Sequence, residues 1–446
     1  MRIQRLLVFL ILSFGLWGQE PLSLQEAVRQ ALTHHPSMEA ATARIHAAES
    51  RIAEARSGWL PHATYTESYQ SGNNPAYVFS ALLTQHQFTE GNFDIASLNR
   101  PAPLNNFQSL VSADQIVYDF GATRGAVRSA GLGKQMSEED KRRTELALIA
   151  AVARTYHGVT LAEQGLQLAV QSLMSAQTDL ERARTLQKAG MATDADVLSV
   201  QVHAAAMEEF RVRREADLRI ARAALNEALG LPLDTEHSLT TPVHVSPPEQ
   251  TSAAELERLA TTQRPETNSA RLGLELAAAQ VATAKSHYWP VIALHGSFEA
   301  DRQEFANKGG GNWMFMASAR WNFLDGNHTR ASVAEARHMQ EAAAANQKQV
   351  DAAVRLETRQ AEANLRASRQ RVTVTEDVVA QADESLRIIR NRYSNGLATV
   401  TDLLRSETSL LEAKTRRLAA LYDLRVAAVQ LAAASGSLNG DSDVLK

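Results

Sequence analysis

The sequence contains no cysteine, so it has no disulfide bond, no thiolate metal ligand and no cysteine nucleophile. The same absence excludes the lipid-modified cysteine of a bacterial lipoprotein. Proline and glycine are sparse, with 12 and 22 among 446 residues, which favours long uninterrupted helices. The formal net charge of −4 gives no basic excess that would indicate nucleic-acid binding. A chain of this length exceeds a usual single core, so a duplicated, elongated architecture is expected.

Long apolar runs are also missing, apart from one at the N-terminus. Two arginines precede this run at residues 6–12, and small residues follow up to Gly18. The order predicts a secretory signal peptide over residues 1–18, cleaved to leave Gln19 or the residue after it. An uncleaved anchor is less favoured because the run is short for a membrane helix. Any membrane crossing by the mature chain must therefore use strands.

A nine-residue segment occurs twice, and the rest of the chain is organised around it. Residues 190–198 read GMATDADVL, and residues 396–404 read GLATVTDLL, 206 residues later. Long alanine-rich segments, poor in glycine and proline, run into and out of both copies. Each copy is typical of the joint in a helical hairpin, so the chain is predicted to hold two copies of one long hairpin.

The residue types in these segments predict how each joint is made. Gly190 and Gly396 can adopt the left-handed conformation that ends the incoming helix. Thr193 can cap the next helix, with Asp196 three residues on, where a carboxylate suits both the cap and the helix dipole. Thr399 and Asp402 repeat this pair in the second copy.

Two segments of the second copy change from helical to strand periodicity. Apolar and polar side chains alternate from Val291 to Ala300 and again from Trp313 to Phe323. Aromatics at both ends of a strand of about ten residues resemble the girdles of an outer-membrane barrel. The predicted lipid-facing band consists of Trp313, Phe315, Trp321 and Phe323.

The first copy carries a weaker version of the same strand pair. Tyr65 and Tyr69 mark one strand, and Tyr118 and Phe120 mark its return. Between them, residues 72–106 contain asparagines and prolines and are predicted to form an irregular loop.

These signals divide the chain into repeats. The first repeat covers 19–230, with a strand hairpin at about 60–121 and a helical hairpin at about 123–230. Residues 231–264 form a proline-bearing linker or equatorial segment. The second repeat covers 265–436, with the corresponding hairpins at about 290–326 and 328–436. A short polar tail, 437–446, follows.

No arrangement of side chains indicates catalysis, a cofactor or a metal site, so the protein is not expected to be an enzyme. His34 and His35 lack further ligands at metal-binding spacing and are expected to be solvated surface. The Lys-Gly-Gly-Gly segment at 308–311 lacks the ending of a phosphate-binding loop. Met314 and Met316 lie on an alternating strand, where packing is the more frequent role.

The order and doubling of these features resemble the TolC-type outer-membrane efflux proteins. The resemblance lies in the two-fold repeat, the Trp-Leu-Pro at 59–61 and Tyr-Trp-Pro at 288–290 before the strands, the Asp-Gly at 325–326 and the doubled turn. The resemblance covers essentially the whole mature chain. It implies a mainly α fold with a small membrane β-barrel.

In that family three copies assemble. The resemblance implies a homotrimer in which each chain gives four strands to one 12-stranded barrel and its helical hairpins to an α-barrel tunnel in the periplasm. The barrel would stand in the outer membrane, in contact with lipid. Four strands alone cannot close a barrel, and open strand edges are not tolerated in lipid.

The resemblance also implies partners and site residues. The helix-turn tips would dock a periplasmic adaptor (membrane fusion protein), which links them to an inner-membrane pump of RND, ABC or MFS type. Ala398 stands where some members have an arginine, and Arg405 where some have a second acid, so the family's gating bonds do not carry over intact. The candidate residues for the tip, its aperture and adaptor docking are Gly190, Thr193, Asp196, Leu198, Tyr393, Gly396, Thr399, Asp402, Leu404 and Arg405.

The function expected from these features is a passive exit duct for drugs or metabolites, or for type I protein secretion. A heavy-metal efflux duct is an alternative within transport. A periplasmic coiled-coil adaptor is an alternative of another class, which the alternating aromatic strands disfavour. Asp402 and Arg405 are three residues apart on one helix, so we expect them to pair.

Overall fold

The computed structural model describes residues 20–241, 252–306 and 309–445. The predicted signal peptide 1–18, the linker prolines after position 241 and Lys308 lie outside these ranges. Within them, no helix is long and apolar enough to cross a membrane.

Helices dominate the described chain. In chain order they are α1 (Leu24–His34), α2 (Pro36–Ser57), α3 (Pro75–Thr84), α4 (Ile95–Asn99), α5 (Ala122–Lys188), α6 (Asp194–Leu229), α7 (Ala253–Gln263), α8 (Pro265–Ser286), α9 (His328–Ser394) and α10 (Val400–Ala434). The strands are β1 (Glu20–Leu22), β2 (His62–Gly72), β3 (Leu104–Tyr118), β4 (His237–Leu239), β5 (Val291–Arg302) and β6 (Gly310–Arg320).

The lengths of these elements follow the duplication in the sequence. Helices α5 and α9 each have 67 residues, α2 and α8 each have 22, and α6 and α10 have 36 and 35. Helix α1 begins with a capping box, since Ser23 and Glu26 cap each other's backbone N–H. At α7, the corresponding helix of the second copy, only half of the box forms: Ser252 accepts from the backbone N–H of Glu255, but the Glu255 carboxylate binds Arg258.

Four strands form one antiparallel sheet in the order β2-β3-β5-β6, which leaves β2 and β6 as its edges. The register places Tyr65, Val111, Phe298 and Trp313 side by side across all four strands. Residues directly opposite each other in a sheet share a face. This face of the sheet therefore carries an apolar row from edge to edge.

The next position along each strand points to the other face. There the register joins Thr64, Ser112, Ser297 and Met314, and the adjacent row includes Asp114 paired with His295. His295 Nδ1 lies 2.8 Å from Asp114 Oδ1. One face of the sheet is therefore mainly apolar and the other mainly polar.

The predicted strand ends are partly wrong. Trp321 and Phe323 lie beyond the end of β6 at Arg320, and Phe120 lies beyond β3. Phe120 has φ +53°, which no regular strand accommodates, and Trp321 donates its indole N–H to the backbone of Tyr288. The aromatics at these ends belong to the strand–helix junctions.

The irregular loop predicted for 72–106 is also wrong in part, because it contains α3 and α4. Asn74 caps α3 by accepting from the backbone N–H of Tyr77, and Pro75 occupies the first helical position. Both are common helix-start residues, so the Asn-Pro pair was itself the signal that the loop prediction overlooked.

Contacts divide the structure into two units, each built from both repeats. The sheet unit contains Ala41–Asp140 and Glu266–Val350. The core unit contains the described residues of Met1–Ala40, Lys141–Pro265 and Asp351–Lys446.

The core unit packs around Tyr156, which is fully buried among leucines and valines of α1, α5 and α6. Its hydroxyl donates to Leu22 O at 2.8 Å and accepts from the backbone N–H of Thr240 and Thr241 at 3.2 and 3.0 Å. Two further leucines of this core, Leu438 and Leu445, come from the C-terminal tail. The tail, predicted to be short and polar, therefore also contributes apolar side chains to this core.

Tyr156→Phe is expected to lower the free energy of unfolding by about 1–3 kcal/mol, because the backbone N–H of Thr241 loses its partner while Leu22 O keeps only the N–H of Thr240. Thermal unfolding followed by circular dichroism measures the change. Tyr422→Phe is the matched control, since the Tyr422 hydroxyl has no hydrogen-bond partner among the described residues. Equal losses in the two variants would contradict this role of Tyr156.

Candidate functional site

The two turns that join the long helices have the predicted conformation. Gly190 has φ +74° and Gly396 has φ +71°, both in the left-handed region. The next residue closes each helix end, since Met191 N donates to Leu186 O at 2.9 Å and Leu397 N donates to Arg392 O at 2.8 Å. This is the Schellman arrangement, which satisfies carbonyls at the end of the incoming helix.

The predicted caps of the outgoing helices are confirmed. Asp196 N donates to Thr193 Oγ1 at 3.2 Å, and Asp196 Oδ2 accepts from Thr193 N at 2.9 Å. Thr399 and Asp402 form the same box at 3.2 and 3.1 Å. Each pair satisfies two backbone donors at a helix start.

The expected direct pair between Asp402 and Arg405 does not form within the described part of the chain. Asp402 Oδ2 faces the cap, where it accepts from both the backbone N and the hydroxyl of Thr399. Thr399 lowers the pKa of Asp402, and the charges of Arg405 and Arg392 add to the effect. Arg405 therefore acts on Asp402 through its field.

The candidate residues at the turns differ in exposure. Leu198 is 60% exposed, whereas Tyr393 is 7% exposed and packs with Leu403 in a cluster that Leu404 joins at its edge. Burial raises the pKa of the Tyr393 hydroxyl, with contributions from Asp196 and Asp179. Leu198 is thus available for contact with another molecule, whereas Tyr393 holds the hairpins together.

A buried charge cluster behind the turns was not predicted. Arg390 Nη2 on α9 lies 3.0 Å from Asp179 Oδ2 on α5 and 2.7 Å from Glu407 Oε1 on α10. Ser175 on α5 accepts from the same nitrogen at 2.8 Å. His203 on α6 approaches Glu407 Oε2 at 3.2 Å. One side chain from each of the four long helices therefore contributes a charge or a titratable ring.

The two carboxylates of this cluster are buried, at 2% and 8% side-chain exposure for Asp179 and Glu407. Burial raises the pKa of Asp179 to about 7, and the neighbouring Glu407 adds to the rise against Arg390 and Arg182. Burial acts in the same direction on Glu407, but His203, Asp179 and Arg390 outweigh it and lower its pKa. The pair therefore holds one proton below about neutral pH.

The sequence did carry a signal for this cluster. Glu407 stands between Leu403 and Leu410, four and three residues away, and these leucines are buried. Arg390 likewise stands between the buried Leu386 and Tyr393. A charged residue within a buried helical stripe needs a partner, but the stripe alone does not say which helix supplies it.

The cluster adjoins a cavity of about 220 Å³, which His203, Arg390, Glu407 and Leu386 help to line. Across the described ranges, no group of three His, Asp or Glu side chains is arranged to hold a metal ion, and in this cluster Arg390 lies between the two carboxylates. The arrangement joins four helices through hydrogen bonds and ion pairs.

Asp179→Asn is expected to remove a pH dependence of stability. Because the pKa of Asp179 rises from 3.8 to about 7, the folded hairpins keep a proton that the unfolded chain releases. The contribution of protonated Asp179 to the free energy of unfolding is complete below its ordinary pKa of 3.8. It is lost as the pH rises to 7, at up to about 1.4 kcal/mol per pH unit. The variant should therefore gain stability relative to the parent between pH 5 and pH 8, measured by thermal unfolding in detergent.

Glu181→Gln is the control for this prediction, because Glu181 is an exposed acid paired with Arg184 on the same helix. Its unfolding temperature should track that of the parent at every pH. Parallel pH profiles for Asp179→Asn and the parent would show that Asp179 is not held protonated.

Comparison with known proteins places this architecture in a family. The model of the family described as "Outer membrane efflux protein" matches residues 27–231 and 256–437. CyaE of Bordetella pertussis is 26% identical over 430 residues, covering 94% of this chain and 85% of that protein. OprJ of Pseudomonas aeruginosa is 27% identical over 354 residues, covering 74% and 71%.

Solved structures share the fold. The outer membrane protein VceC of Vibrio cholerae has a TM-score of 0.76 at 20% identity, with 93% of this chain and 96% of VceC covered. The CmeC outer membrane channel of Campylobacter jejuni has a TM-score of 0.78 at 16% identity, with coverages of 94% and 87%. With the family model matched over both repeats, the chain belongs to the outer membrane efflux protein family, the TolC-type channels, and is a protein of the outer membrane.

Proposed function

We propose that three copies of this chain form a channel-tunnel that serves as the passive exit duct of a tripartite efflux or type I secretion system. The observation that carries the proposal is the four-stranded sheet with two unpaired edges, β2 and β6. An edge exposes a row of unpaired backbone groups, and lipid cannot satisfy them. Pairing β6 of one copy with β2 of the next removes every edge once a ring closes. Three copies give 12 strands, an even number wide enough for a lumen.

The two faces of the sheet support this assignment. The apolar row ending at Trp313 suits contact with lipid, and the polar row through Ser297 suits an aqueous lumen. Trp313 and Phe315 are 79% and 66% exposed, as lipid-facing side chains should be. Trp321 and Phe323 would lie at the end of the sheet nearer the helices, at the level of the membrane interface.

The turns would form the periplasmic end of the duct. Each presents an exposed apolar residue directly after its glycine, Met191 in one and Leu397 in the other, and Leu198 is exposed nearby. A small apolar tip on a capped hairpin suits docking to a helical partner, which supports contact with a periplasmic adaptor and, through it, an inner-membrane pump. We propose no catalytic role, and no specific observation favours a metal cargo.

The absence of cysteine from the chain allows a direct test of the trimer. One cysteine replaces Ala317 in β6, and a second replaces Ala63, Tyr65 or Glu67 in β2, one at a time, because these positions lie on the same face of the sheet. Oxidation in the outer membrane should give a covalent trimer for one of these registers. The matched control pairs Ala317→Cys with Glu181→Cys, outside the sheet. If every double-cysteine variant gives only monomer, although the protein is present in the outer-membrane fraction, the result would contradict a shared barrel.

Arg405→Asp tests whether the turns line the entrance. Removing three guanidinium groups and adding three carboxylates near Asp402 should make the pore more cation-selective and more easily blocked by multivalent cations. Reversal potentials in planar bilayers measure the selectivity. Because Arg405 makes no direct pair with Asp402, the hairpin should stay folded.

Arg416→Asp is the control, since Arg416 is exposed on the same helix and pairs with Glu412 within one turn. Its effect on selectivity should be smaller than that of Arg405→Asp. Indistinguishable reversal potentials for Arg405→Asp and the parent would mean that residues 402–405 do not line the aperture.

A further inference from the structure

Three cations of the sheet unit lie together around one cavity, beside two aromatic rings. Lys285, Arg330 and Arg337 line one open cavity of about 500 Å³, together with Tyr288 and Trp289. None of the three cations makes an ion pair with an acid among the described residues. A cluster of unpaired cations beside aromatic rings is an arrangement that favours an anionic ligand.

Helix α9 supplies one wall of this cavity. Arg330, Val333, Ala334 and Arg337 follow the spacing i, i+3, i+4, i+7, so they share one face of the helix. Val333 is 5% exposed and, with Ala334, forms a small apolar floor. The two arginines are about 10 Å apart along the helix axis at 1.5 Å per residue. They can therefore reach a group above the floor from both sides.

The opposite wall comes from the end of α8 and from two aromatic residues between α8 and β5. Lys285 lies in the last turn of α8, and Tyr288 and Trp289 lead into β5. Trp289 stacks on Phe120 with ring centres 5.3 Å apart and planes at 14°. Trp321 donates its indole N–H to Tyr288 O at 3.0 Å. These contacts hold the aromatic wall in place, although Trp289 remains 57% exposed.

The nearby acids bind other groups or face away from these cations. Glu341, four residues after Arg337 on the same face of α9, lies 3.1 Å from the ring of His338. Asp325 caps α9 by accepting from the backbone N–H and the hydroxyl of Thr329 at 2.9 and 2.5 Å. Glu335 lies on the face of α9 opposite Arg330 and Arg337, given 100° per residue. The positive charge of the cavity is therefore left for a ligand.

The first repeat carries a partial copy of this pattern. Arg56 and Trp59 stand 229 residues before Lys285 and Tyr288, and Arg124 stands 206 residues before Arg330. Gly131 occupies the position that corresponds to Arg337. Basic and aromatic residues thus occur at both strand–helix junctions, but the complete set is present only in the second.

We propose that this cavity binds the phosphodiester headgroup of an anionic phospholipid in the periplasmic leaflet of the outer membrane. Arg330, Arg337 and Lys285 bind the phosphate, and Trp289 and Tyr288 lie against the glycerol and the first acyl carbons. The inference rests on the proposed function, because the helix-side ends of β5 and β6 are then at the periplasmic membrane surface. Basic residues and aromatic belts are both enriched at such interfaces. The site would fix the depth of the sheet in the membrane.

Native mass spectrometry of the protein purified in detergent tests the proposal, with short-chain phosphatidylglycerol and phosphatidylcholine as probes. The parent should bind phosphatidylglycerol preferentially. Arg330→Gln combined with Arg337→Gln should weaken that binding by about tenfold to thirtyfold, from the contribution typical of two basic residues near an anionic membrane. The control removes the same charge from the same helix by Arg355→Gln and Arg369→Gln, and should bind as the parent does.

The outcomes separate this inference from the proposed function. Equal binding of the two lipids, or equal binding by the two double variants, would overturn the headgroup site. Displacement by millimolar inorganic phosphate with no lipid retained would show a phosphate site and overturn the assignment to lipid. Outer-membrane fractionation and bilayer conductance of the parent test the channel itself. A conducting outer-membrane protein without lipid preference would therefore overturn only the headgroup site.

Discussion

The structure depends on satisfying backbone hydrogen-bonding groups wherever a long helix begins or ends. Asp119 and Asp325 lie three residues before α5 and α9 begin, and their carboxylates accept the N–H groups of Thr123 and Thr329 in the first turns. Both helices end at left-handed glycines, and the next helices begin with Thr–Asp capping boxes. Uncapped ends would leave several donors and acceptors without partners at each turn. Because the same residues recur in both copies, the same hairpin forms twice.

Polar groups also give the alanine-rich helices their specific partners. Small side chains allow close approach but distinguish little between one alignment and another. Tyr156 joins α5 to the chain at Leu22 and Thr241, and Arg390 joins α9 to the carboxylates of α5 and α10. Such groups are costly when unpaired in the interior, so they favour one alignment over its alternatives. In the proposed duct they hold the hairpin ends in register while Leu198 stays exposed.

The sheet and the helices meet at junctions rich in aromatic and basic residues. Aromatics that the alternating pattern assigned to strands, such as Trp321, instead brace the backbone of the junction. This explains how a continuous pattern of alternation can extend past the last hydrogen-bonded pair of a strand. It also places Trp289 beside the cations of the proposed headgroup site, where the change from sheet to helix leaves an open cavity.

The sequence by itself determined the elements that depend on local chemistry. The duplication can be read directly from the repeated segments. Neighbours within a few residues determine the helix bounds near Gly190 and Gly396, the two Thr–Asp boxes and the strands after Pro61 and Pro290. The tertiary structure decided which distant groups meet. Asp179, Arg390 and Glu407 lie up to 228 positions apart in the chain, and no local pattern specifies their contact. Their pairing, like the unpaired cations near Trp289, arises from how the helices pack, because burial and charge depend on neighbours that only the fold supplies.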